Sequence, residues 1–198
     1  MRLVVSVGFR LAGTPLLSAP PRGRAGVFRR LRANGPALLV PAAWTVVAAA
    51  HVDLVTTRTL LVAHVVMTVL LVAFAALSYG DMHEGVLSVW WLVIAAGIPV
   101  TAAGLVGLAV PALGRAGLPL AVGGWMLLPG VALVETGREM TGDDPRTVYL
   151  AAGALCLVGA LAYAGGLLAG GGQRALVAGI VVAGVGQTAG IVDAVVRY

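Results

Sequence analysis

Six stretches of about twenty apolar residues follow one another along this chain, and none carries a charged residue near its middle. A helix needs about 20 apolar residues to cross the hydrocarbon core of a bilayer. Inside that core the backbone must satisfy its own hydrogen bonds, which leaves the α-helix as the form open to such runs. The sequence therefore predicts an all-α, polytopic integral membrane bundle of about six transmembrane helices, over residues 36–55, 59–79, 85–110, 118–135, 145–169 and 175–196. With 60% of its 198 residues hydrophobic and 11% charged, the chain is too apolar for a soluble nucleotide-binding fold or a disordered segment. Its one cysteine, Cys156, excludes a disulfide scaffold and reads as a small buried residue in the fifth span.

A basic segment, residues 1–35, precedes the six-span domain, residues 36–198. It carries Arg2, Arg10, Arg22, Arg24, Arg29, Arg30 and Arg32, with Pro15, Pro20 and Pro21 between them. Arg10 interrupts the apolar opening, which favours a short interfacial helix over residues 2–12 rather than a signal peptide. Every basic residue of the chain is Arg and Asn34 is its one Asn, a usage that fits a GC-rich prokaryotic genome. In the six-span topology Arg138, Arg146 and Arg197 join the N-terminal seven, whereas Arg58, Arg115 and Arg174 lie on the opposite side. Ten against three predicts a plasma-membrane protein with both termini in the cytoplasm. Its expected partners are the lipid bilayer, anionic lipid at the Arg segment and other membrane proteins, with no nucleic acid.

Local signals mark the span starts. Thr56 or Thr57 is placed to cap the second span, Asp81 and Glu84 have capping-box spacing before the third, and Asp144 precedes Pro145 at the fifth. The fourth span is the shortest and contains Pro129-Gly130. A re-entrant fourth segment would reduce the count to five and move the C-terminus to the other side. Pro99 is expected to bend the third span. Gly166 with Gly170 and Gly186 with Gly190 offer small faces that bring the fifth and sixth helices together. Trp90 and Trp91 fit anchoring at the membrane interface.

Few residues offer chemistry. His51 and His64 flank the turn between the first two spans at similar depth, beside Asp53, Thr56, Thr57 and Arg58. Two imidazoles can hold a b-type haem or another metal. Close-packed helices leave little room for a macrocycle between facing ligands, and the alternative is that each imidazole bonds a carbonyl, hydroxyl or water. Asp81, His83 and Glu84 resemble a metal cluster, but the capping role accounts for two of the three. Asp193 and Glu135 lie near helix ends, with Arg197 and Arg138 four and three residues later. They form either separate interfacial pairs or an acidic vestibule for protons or cations. Gln187 is the strongest deep candidate for an interhelical hydrogen bond or a polar step in an ion pathway. The P-loop, HExxH, CxxC and GxSxG patterns are all missing. The expectation is thus a non-enzymatic structural or accessory component of a membrane complex, or a small-solute pathway. A haem-binding redox protein using His51 and His64 and a conductor using Glu135 and Asp193 stand as alternatives.

Overall fold

A computed structural model describes residues 24–141 and 143–197, with side chains from residue 37 onward. Among the described residues the regular elements are six helices: α1 Arg24–His51, α2 Thr57–Ser78, α3 Gly85–Ala109, α4 Pro111–Glu139, α5 Asp143–Leu168 and α6 Gly172–Arg197. Helices α2 to α6 are each long and apolar enough to cross a membrane, and α1 adds a shorter apolar stretch, Ala37–His51. The fold is a helical membrane bundle of about six helices. The interfacial helix expected over residues 2–12 lies outside the described residues.

Helices α1 and α4 differ most from the sequence reading, and each also ends four residues from its expected bound, α1 at His51 and α4 at Glu139. Helix α1 is already helical at Arg24, the first described residue and twelve residues before the expected start, and runs unbroken through Pro36 and Pro41. Helix α4 runs 29 residues and passes through Pro119 and Pro129 as one continuous element rather than a re-entrant piece. Its early start has a local cause. Val110 precedes a proline and is held extended (φ −120°, ψ 99°), so α3 ends there and Pro111 opens α4 at its first position.

The caps are mixed in outcome. Thr56 caps α2, accepting the Thr59 amide at 3.2 Å. The Asp81–Glu84 capping box does not form, because α3 starts at Gly85, three residues later than the box requires. Glu84 occupies the N-cap position without a side-chain cap bond, and the Asp81 amide turns back to the Ser78 carbonyl at 3.1 Å. Asp144 stands in the first turn of α5 rather than before it, where its charge faces the positive helix end. Helix α1 ends in a Schellman turn. The Leu54 amide donates to Ala49 O and the Asp53 amide to Ala50 O, with Asp53 in the left-handed region at φ 58°. Glycine adopts that conformation without strain. Asp53→Gly is therefore expected to raise stability by roughly 0.5–1 kcal/mol, read as an upward shift of the unfolding midpoint in detergent.

Consecutive helices pack as antiparallel neighbours from α2 through α6, and α6 also touches α4. The exception is α1, which packs against α6 rather than against α2, its neighbour in sequence. Helix α2 touches chiefly α3 and buries only Ala75, leaving Val62, Val66, Leu70 and Phe74 outward. We call the end carrying the α1–α2, α3–α4 and α5–α6 turns the upper end, and the other the lower end.

Glycine sets the spacing between helices. The α5–α6 pair is the most extensive, and at its centre a Cβ on Gly159 would stand 2.6 Å from both Gly179 O and Ala183 N. On the same interface, a Cβ on Gly186 would stand 2.5 Å from Ala152 O. The Gly186–Gly190 pair does face its neighbours, with Gly190 under Leu133 of α4 as well as Ala152 of α5. Gly170 does not take part as expected, because it lies in the turn after α5 at φ +63°.

Candidate functional site

The deepest polar structure is built on Gln187 of α6, which is buried. Its Oε1 accepts the indole N–H of Trp44 from α1 at 3.0 Å, and its Nε2 donates to the main-chain oxygen of Trp125 in α4 at 2.6 Å. An indole N–H only donates and a carbonyl only accepts, so these partners determine which way the amide faces. Trp125 extends the chain of bonds through its own indole, which donates to Thr101 Oγ1 of α3 at 3.0 Å. One hydrogen-bonded line thus crosses α1, α6, α4 and α3.

Trp125 O is available to Gln187 for a covalent reason. Proline lacks an amide hydrogen, so Pro129 cannot donate to the carbonyl four residues earlier, which is that of Trp125. A bare carbonyl in an apolar interior is costly, and membrane helices tolerate proline where a neighbour supplies the donor. Here Gln187 supplies it. The same logic recurs at two helix ends. The Trp91 indole donates to Ala75 O in the last turn of α2 at 2.9 Å, and Gln173 Nε2 donates to His51 O at the end of α1.

All four tryptophans use their indole N–H between helices, since Trp90 donates to Thr136 Oγ1 of α4 at 3.1 Å. Trp90 and Trp91, expected as interfacial anchors, thus direct their polar edges into the bundle. Glycine notches admit the bulky rings. Trp125 lies over Gly97, and Trp44 lies over Gly184.

The structure does not bring His51 and His64 onto one partner. His51 Nε2 meets the hydroxyl of Tyr163 in α5 at 3.1 Å, while its Nδ1 meets Val47 O at 2.8 Å. Because Val47 O can only accept, the neutral ring carries its proton on Nδ1 and Nε2 accepts from the Tyr163 hydroxyl. His64 Nδ1 meets Leu60 O at 2.9 Å, and its Nε2 edge packs on Gly104 of α3. Helix α1 packs on α6, which puts His51 beside Tyr163 of α5, while His64 faces α3. Both imidazoles meet, through Nδ1, the carbonyl four residues earlier.

Glu135 and Asp193 keep their local partners. Arg138 donates to Glu135 at 2.5 Å, and Arg197 Nε reaches both oxygens of Asp193 at 2.8 Å. No hydrogen bond or ion pair among the described residues joins the two pairs into one vestibule. At the α2–α3 turn, His83 stacks on Tyr79 with ring centroids 6.2 Å apart and lies 3.5 Å from Glu84. Among the described residues no group of three His, Cys, Asp or Glu side chains is placed to hold a metal ion.

Sequence reasoning singled out Gln187 but missed Trp44 and Trp125 as its partners, and Tyr163 as the partner of His51. One signal was present: a proline in a membrane helix marks the carbonyl four residues earlier as needing a donor. No protein-family model matches this chain, and no curated protein or solved structure is similar to it.

Proposed function

We propose that this protein is a non-catalytic component of a membrane assembly, held in the plasma membrane with both termini in the cytoplasm. One observation carries the reading: the deep polar side chains tie helices to one another. Gln187, the four indoles, Thr101 and Thr136 bond across the bundle, so they brace helices rather than line a solute path. The charged pairs Glu135–Arg138 and Asp193–Arg197 each stay on a single helix. The ten-to-three division of Arg supports the orientation.

The test is photo-crosslinking in native membranes from outward-facing Leu70 of α2 and Val158 of α5, which are 62% and 55% exposed. A discrete protein adduct from one face, with lipid adducts alone from the other, is the expected result. The same protein in liposomes should pass no more protons or cations than empty vesicles. Flux that falls in Asp193→Asn would replace this reading with the conductor. A stoichiometric Soret band lost in His51→Ala or His64→Ala would replace it with the redox protein.

A further inference from the structure

At the lower end Arg138 and Arg197 hold carboxylates on their own helices, while Arg146 is exposed and in no ion pair among the described residues. At the upper end Arg174 is exposed and forms no ion pair among the described residues, and Asp53 is the sole acid in the upper-end turns. Arg174 also stands in the first turn of α6, where the helix's own positive end disfavours a cation and favours an anion beside it.

Beneath Arg174 runs a groove of about 450 Å³, lined by Val52, Gln173 and Arg174 at the top and by Val177, Ala178, Val181 and Val182 below. The α6 residues 174, 177, 178, 181 and 182 recur at helical spacing, so they form one stripe along the helix. From Arg174 to Val182 that stripe is about 12 Å long at 1.5 Å per residue. Its floor is apolar, with Ala178 as the low point, and its one cationic group lies at the membrane-boundary end. A ligand that complements it carries an anionic head and a flexible hydrocarbon tail. A partner helix would leave Arg174 without a counter-charge unless it brought a carboxylate to that depth, whereas a phosphodiester sits there in every phospholipid leaflet. Guanidinium binds phosphate through paired N–H donors.

We propose that this groove seats one phospholipid, with its phosphate on the Arg174 guanidinium and an acyl chain along Val177, Ala178 and Val181. Gln173 is already engaged with His51 O, so Arg174 is the principal contact for the head. The site lies at the opposite end of the bundle from Arg24 of α1.

The experiment is native mass spectrometry of the full chain, delipidated in detergent and titrated with phosphatidylglycerol. Arg174→Gln, Ala178→Phe and Arg115→Gln are compared with the parent, and glycerol phosphate is the head-only probe. The parent is expected to retain one lipid. Arg174→Gln should weaken that binding by about tenfold, the loss of one charge-assisted contact. Ala178→Phe, which fills the groove without altering charge, should weaken it as well. Arg115→Gln, which removes another unpaired upper-end cation, should bind as the parent does. Parent-like binding in either Arg174→Gln or Ala178→Phe overturns the proposal. So does an equal loss in Arg115→Gln, which would mean diffuse surface charge, or displacement of the lipid by glycerol phosphate at equal concentration, which would mean an anion site without a chain. Unfolding midpoints of the variants separate a lost site from a lost fold, because Arg174 and Ala178 are both at the surface of α6.

Discussion

Gln187→Leu is expected to destabilise the bundle by about 2–4 kcal/mol, because it removes two interhelical bonds while roughly keeping side-chain volume. The Trp44 indole loses its acceptor and Trp125 O loses its donor. Each is left unpaired in an apolar interior where no water can substitute. Reversible unfolding in mixed micelles measures the loss. The proline gives a sharper test. In Pro129→Ala an amide hydrogen returns to the position that serves Trp125 O, so the carbonyl no longer depends on α6. Pro129→Ala should therefore recover about 1 kcal/mol when added to Gln187→Leu, beyond its effect in the parent background. Strict additivity of the two substitutions would show that Gln187 does not compensate for Pro129, and the account of the junction would fall. Trp44→Phe isolates the other bond and should cost about 1 kcal/mol.

The extents of the helices were legible in the sequence because the bilayer demand is simple. An apolar run must be long enough and must end where polar punctuation begins, and the observed bounds of α2, α3, α5 and α6 lie within three residues of those read from the pattern. Proline misled at both departures. Pro36 reads as a helix start although the chain is already helical at Arg24, and Val110-Pro111 signals the restart that brings residues 111–117 into α4. The order of packing was legible only in part: the Gly186–Gly190 face marks the α5–α6 contact, but nothing in the pattern marks α6 as the neighbour of α1. A hairpin reading brings α1 and α2 together and makes His51 and His64 a pair. Yet which helix faces which is decided by where glycines cut notches for particular large side chains, and that is a property of two helices at once. Trp44 fits the notch at Gly184, and that contact draws α1 onto α6 and His51 onto Tyr163. With 28 glycines in the chain, the sequence offers many possible notches and no ranking among them. The signal for Gln187 was clearer, since a lone amide in an apolar helix must find partners. Its acceptor lay four residues before a proline.

The second large effect is expected at Gly159. Substitution by alanine places a methyl 2.6 Å from Gly179 O and Ala183 N, and those are backbone atoms that no rotamer change can move. The helices must separate, so Gly159→Ala is expected to cost about 1–3 kcal/mol and Gly159→Leu to prevent the native α5–α6 contact. The consequence extends beyond the pair. Ala183 N and the Cys156 contact to Ala183 O lie on the same stretch of α6 that carries Gln187 one turn later. Displacing it should loosen the Trp44 and Trp125 bonds together. Gly165→Ala on the same helix supplies the control, because a Cβ there meets nothing within 4 Å. Alanine is favoured over glycine in a helix by up to about 1 kcal/mol, so Gly165→Ala should be neutral or stabilising. Tryptophan fluorescence during unfolding distinguishes the mechanisms. Gly159→Ala should shift emission of buried Trp44 and half-buried Trp125 before the helices melt, because backbone contact at Gly159 holds α6 where Gln187 can reach both. Unchanged emission with lowered stability would confine the effect of Gly159 to its own interface and break the link between glycine packing and the polar junction.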